Sequence, residues 1–208
     1  MYKLKIYLFL LLTIVTSLAY AQNPTAGTTK ILVMGDSLSA GYGIDIQQGW
    51  VNLLEKELTK NHAIQIINAS VSGETSSGGN SRLPALLAEH KPNIVILELG
   101  GNDGLRGQPL KLLEKNLQTM IDTSKNAEAK VLLAGMQIPP NYGVRYSSQF
   151  KALYEKLAEK NELELIHFLL EGIGGDETLM QRDGIHPTAE AQSIIVKNVL
   201  PELEKMLP

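Results

Sequence analysis

Beyond residue 29, short apolar runs alternate with stretches in which apolar side chains recur every three or four positions. Residues 30–34 read as a buried strand, followed by Trp50, Leu53, Leu54 and Leu58 at helical spacing. Residues 64–67 are β-branched and extended, and residues 82–89 form a short helix that starts there or a few positions earlier. The strongest strand is 94–99, and a helix over 110–126 and a strand over 130–134 follow it. Residues 147–160 carry Phe150, Leu153, Tyr154 and Leu157 on one helical stripe. A weak strand over 164–166 precedes a last helix over 189–206, which Pro201 should kink or end locally.

The order βαβαβαβαβα predicts an α/β fold with a five-stranded parallel sheet and helices on both faces. Strands covered on both faces read as near-continuous apolar runs, as these do. In such a sheet the ligand crevice lies beyond the carboxyl ends of the strands. The chemistry should therefore lie in the segments that follow each run. After the first comes Gly35-Asp36-Ser37-Leu38-Ser39, after the second Asn68 to Thr75 with Gly73 inside it, and after the third Gly100-Gly101-Asn102-Asp103-Gly104. A fourth polar, glycine-containing segment, Asp183-Gly184-Ile185-His186-Pro187, precedes the last helix.

Ser37 has a nucleophile's position, where a strand turns toward a helix among small residues. The competing reading is a helix N-cap, for which serine and aspartate are the usual choices. A serine needs a general base, most often histidine. His62 and His90 fall at the wrong end of the sheet, whereas His167 ends the fifth strand and competes with His186. His186 has Asp183 three residues before it, able to turn back onto the imidazole Nδ1 and fix its tautomer. Oxyanion donors would be the Ser37 and Gly73 backbone N–H groups and the Asn102 side-chain amide; removing one such donor typically costs about 10²–10³ in rate. The plainer reading of the glycines is that they permit tight turns.

Composition narrows the field. The chain has 208 residues, 44% hydrophobic and 20% charged, enough to bury a core as one domain over 30–208. It has no cysteine, which excludes disulfides, thiolate metal sites and cysteine nucleophiles. Residues 1–21 read as a signal peptide, with Lys3 and Lys5 before an apolar run and Ala19-Tyr20-Ala21 as a small-x-small cleavage site. A retained membrane anchor is the alternative, although the apolar run is short for a spanning helix. Residues 22–29 form a flexible lead-in. Cleavage would leave 17 basic against 22 acidic side chains, a surface unsuited to nonspecific nucleic-acid binding. Without the signal no stable membrane insertion is expected, and we expect a periplasmic or secreted monomer.

Together the blocks Gly35-Asp36-Ser37-Leu38, Gly73, Gly100-Gly101-Asn102-Asp103 and Asp183-Gly184-Ile185-His186 resemble, in order, those of the GDSL or SGNH hydrolase superfamily. Asn68-Ala69-Ser70, residues 82–87, residues 98–107 and Pro140-Asn141-Tyr142-Gly143 are similar to the periplasmic multifunctional thioesterase I/protease I/lysophospholipase group, often called arylesterases. The resemblance implies a flavodoxin-like three-layer α/β/α sandwich without metal or cofactor. It implies a serine esterase or thioesterase acting on small-molecule acyl esters or thioesters, with Ser37 as nucleophile, His186 as base and Asp183 as its orienter. Ser37, Gly73 and Asn102 would form the oxyanion hole, and Leu105, Ile138 and Tyr142 would line an acyl groove. A carbohydrate O-deacetylase on the same scaffold is the main alternative. One Trp and three Phe equip the chain poorly for sugar stacking, while seven Tyr keep that reading open. A noncatalytic flavodoxin-like binding module would lack a triad member, and none is lacking. Neither a G-x-G-x-x-G fingerprint nor a P-loop marks a nucleotide site.

Overall fold

A computed structural model describes residues 27–208, so the signal segment expected over 1–21 lies outside the described residues. Five strands form one parallel sheet: β1 (Thr29–Gly35), β2 (Ile64–Asn68), β3 (Ile94–Glu98), β4 (Lys130–Ala134) and β5 (Glu164–Ile166), in spatial order β2-β1-β3-β4-β5. Seven helices accompany them: α1 (Ser37–Ala40), α2 (Trp50–Leu58), α3 (Ser76–His90), α4 (Gly101–Leu105), α5 (Leu110–Asn126), α6 (Val144–Asn161) and α7 (Gln192–Glu204). Among the described residues no helix is long and apolar enough to cross a membrane.

The layers follow from handedness. The chain steps from β1 to β2 on one side, then passes back over β1 to β3 and continues outward to β4 and β5. Right-handed crossovers therefore put α2 on one face and α3, α5 and α6 on the other. The packing agrees, since α2 lies against α7, α3 against α5, and α5 against α6. Between these layers Ile31 to Met34 of β1 and all of β3 are buried, which is why both strands lack polar alternation.

The order in which strands are added reverses at β1. β1 is flanked by β2 and β3, with Val33 opposite Asn68 and Gly35 opposite Glu98. The chain turns leaving β1, β2 and β3 thus meet at one rim, the switch point of a doubly wound sheet. Two helix details differ from the periodicity. α3 begins at Ser76, six residues before Arg82, because Thr75 caps it by accepting from the Gly78 N–H. α7 continues past Pro201 to Glu204, with Leu203 and Met206 buried beyond the proline.

Candidate active site

At the end of β1, Asp36 caps α1: its Oδ1 accepts the Leu38 N–H at 3.0 Å. The capping role expected of Ser37 in the plainer reading belongs to its neighbour, so the Ser37 hydroxyl is not engaged by the helix. It lies 2.8 Å from His186 Nε2. On the far side of the ring, His186 Nδ1 is 2.8 Å from Asp183 Oδ2. Asp183 is itself fixed, its Oδ1 accepting the backbone N–H groups of Ile185 at 2.9 Å and His186 at 3.0 Å. Burial pushes the Asp183 carboxyl up, but the bonds from the His186 backbone, the His186 ring and Ile185 outweigh it and hold it at about 2. Asp183 is therefore an anion beside the imidazole at neutral pH.

The segment carrying His186 is a folded loop. Met180 bridges Pro187, the Gln181 N–H donates to His186 O at 2.7 Å, and the Thr188 N–H donates to Leu179 O at 2.8 Å. Gln181 Nε2 donates to both Pro187 O and Tyr42 O, joining this loop to the turn after α1. His167 is exposed and does not border the site.

Gly73 and Asn102 border the same cavity as Ser37 and His186. Gly73 holds φ +79°, which favours glycine. One Asn102 Nδ2 hydrogen goes to Asp36 Oδ2 at 3.1 Å, and the amide carries a second. Behind this pair stands a buried carboxyl network: Glu98 Oε2 accepts the Asp36 N–H at 3.1 Å and the Ser39 hydroxyl at 2.6 Å. Burial raises the Asp36 carboxyl to about 6, against the Leu38 and Asn102 bonds that lower it. Burial and then the charge of Asp36 push Glu98 well above the ordinary carboxylate range.

Asp103, next to Asn102, has a separate task. It accepts the Ser76 N–H at 2.8 Å and the Ser76 hydroxyl at 2.6 Å, while Asn116 donates to Ser76 and Ser77. The start of α3, and with it the loop bearing Gly73, is thereby tied to α4. Arg106 spans the same gap, donating to Gly73 O at 3.2 Å. Sequence reasoning overlooked Asp36, Glu98 and this tie. The only signal for them was the crowding of polar residues at strand ends.

The cavity has a volume of about 530 Å³. Its walls are largely apolar, with Leu105 and Ile138 on one part and Met136, Phe168, Leu170 and Met180 elsewhere. Tyr142, expected in the groove, is not in its lining; its hydroxyl donates to Leu105 O at 3.0 Å and so ties to a lining residue. Met136, Phe168, Leu170 and Met180 were not foreseen, because apolar residues beyond strand ends look like ordinary core.

Fold and rim together define a flavodoxin-like α/β protein with a hydrogen-bonded Ser–His–Asp row beside an apolar cavity. The chain belongs to the GDSL-like lipase/acylhydrolase family, whose model matches residues 33–194. It is 49% identical over 183 residues to the esterase TesA of Pseudomonas aeruginosa, covering 88% of this chain and 91% of that one. It is 40% identical over 182 residues to the thioesterase 1/protease 1/lysophospholipase L1 of Escherichia coli, covering 88% and 86%. A crystal structure of TesA superposes with a TM-score of 0.84 at 49% identity, covering 86% of this chain and all of that one.

Proposed function

We propose that this protein is a serine hydrolase that cleaves carboxylic esters and thioesters of acyl chains through a Ser37–His186–Asp183 triad and an acyl-enzyme intermediate. The observation that carries this reading is the unbroken row from Ser37 Oγ through His186 to Asp183, with both links at 2.8 Å, at an apolar cavity. The names of its relatives, esterase and thioesterase/protease/lysophospholipase, favour the same chemistry.

The proposed reaction has two stages. His186 Nε2 takes the Ser37 proton as Oγ attacks the acyl carbonyl carbon. The oxyanion is held by the N–H groups of Ser37 and Gly73 and by the free Asn102 Nδ2 hydrogen. Imidazolium then gives its proton to the departing alcohol or thiol, and an ester joins the acyl group to Ser37. Water, deprotonated by the same imidazole, attacks that ester; the bond to Ser37 Oγ breaks, the imidazolium returns its proton to Oγ, and the acid leaves. Asp183, anionic throughout, keeps Nδ1 protonated and Nε2 free to accept. Leu105 and Ile138 hold the acyl chain. The reading includes export, with residues 1–21 removed, because positive, apolar and small-x-small segments follow one another there.

The test is turnover of p-nitrophenyl esters, acyl-CoAs and lysophospholipids run side by side. Ser37→Ala should lose ester turnover while remaining folded, and His186→Ala should do the same while His167→Ala does not. Near wild-type rates in Ser37→Ala, or severe loss confined to His167→Ala, would reject these roles.

A further inference from the structure

One aromatic ring at the site has no part in the chemistry so far. Tyr42 is 52% exposed, borders the cavity, and sets its ring centroid 4.4 Å from that of His186 with the planes tilted by 38°. Three features hold it there. Gly41, left-handed, closes α1 and reverses the chain. The Tyr42 N–H donates to Ser37 O at 3.1 Å. Gln181 Nε2 donates to Tyr42 O at 2.8 Å and to Pro187 O at 2.9 Å, tying the backbone of Tyr42 to the loop that carries His186.

We propose that Tyr42 is a catalytic residue whose ring stabilises the imidazolium formed on His186 during acylation and deacylation. The inference rests on the reading of His186 as the base. A neutral imidazole packs against an aromatic face, but an imidazolium gains a further attraction to the ring's π-electrons. A cation within about 6 Å of the ring centroid is drawn to the negative face of the π-system. The attraction therefore arises as the proton moves from Ser37, or later from water, onto Nε2. An interaction that appears only as charge develops lowers the barrier rather than strengthening substrate binding. Asp183 acts on the imidazolium at Nδ1, in the plane of the ring, and Asp36 adds a more distant negative charge. Tyr42 acts on its face. The His186 side chain is only 16% exposed, whereas the Tyr42 side of the contact is open to water, which keeps the expected effect modest.

The Tyr42 phenol is not required by this role; the π-electrons are. Tyr42→Leu should lower kcat on p-nitrophenyl butyrate by about three- to ten-fold with KM nearly unchanged. Tyr42→Phe should recover most of that loss. The decisive series places phenylalanine and its mono-, di- and trifluorinated analogues at position 42, keeping the shape nearly constant while draining the ring face of charge. The logarithm of kcat should fall steadily along the series, with thermal midpoints matching that of Tyr42→Phe. A flat series, or a loss in Tyr42→Leu confined to KM, would overturn the proposal. His186→Ala, measured alongside, separates the two claims. If it is inactive while the series is flat, the role of Tyr42 alone fails. If it turns over like the wild type, the reading of His186 fails and the role of Tyr42 falls with it.

Discussion

Asp36 engages both of its carboxylate oxygens, one on the Leu38 N–H and one on Asn102 Nδ2, and so determines what its neighbours are free to do. Ser37 is relieved of capping, and one hydrogen of the Asn102 amide is committed to Asp36. The cost sits one layer deeper, where Glu98 is fully buried beside Asp36 and its Oε1 finds no hydrogen-bond partner among the described residues. A carboxyl whose folded pKa is raised stabilises the fold at low pH and loses that contribution as pH rises through the folded value. Glu98→Gln has no proton to lose and retains an oxygen acceptor for Ser39 and Asp36. Its thermal midpoint relative to wild type should therefore rise progressively as pH is raised from 5 to 8. A constant difference across that range would mean that Glu98 is not held protonated. At this scale the hydrogen-bonded row of Ser37, His186 and Asp183 was legible, because acyl transfer limits the residue types worth seeking, Ser37 just after β1 and Asp183 and His186 in the loop before α7. The tie from Asp103 to Ser76 and the clamp from Gln181 to Tyr42 were not. Their partners lie 27 and 139 residues apart and leave no local pattern.

At the scale of elements, α2, α5 and β4 occupy the residues that periodicity assigned to them, since each has a sharp apolar stripe or run bounded by polar residues, and the weak strand β5 falls where it was expected as well. The amino-terminal half of α3 was hidden. Residues 76–80 read Ser-Ser-Gly-Gly-Asn, poor helix formers, and they are helical because Thr75 caps them and Asp103 binds Ser76 from outside. The short helices α1 and α4 were equally obscure, each being one turn at the rim. The close of β4 is tightly built against backbone. The Gly135 N–H donates to Ile166 O at 2.7 Å, and a Cβ added at Gly135 would lie 2.5 Å from His167 O and 2.7 Å from Ile166 O. Those contacts are backbone and cannot swing aside. Gly135→Ala should lower stability by about 1–3 kcal/mol, the usual penalty for overpacking, measurable as an earlier urea midpoint. An unchanged midpoint would show that β5 yields there without cost.

For the whole molecule, alternating strands and helices predicted a parallel sheet, but alternation does not order its strands. The order β2-β1-β3-β4-β5 depends on which neighbour each strand chooses after β2, a tertiary decision with no trace in any single segment. That order opens the crevice beside β1 and lets residues from 36 to 186 surround one cavity. Because its walls are apolar, each methylene of an acyl chain that enters should contribute about 0.8 kcal/mol, or about four-fold in kcat/KM. A series of p-nitrophenyl esters should climb at about that rate from acetate and then level off where the chain reaches the end of the cavity. Equal kcat/KM from acetate onward would mean that the acyl chain does not occupy it.

The most direct measurement concerns the hydroxyl itself. Treatment with a fluorophosphonate followed by peptide mass spectrometry should yield one adduct, on Ser37, formed in step with the loss of ester turnover and absent in His186→Ala over the same time. Complete inactivation with the adduct on another residue would contradict Ser37 as the nucleophile.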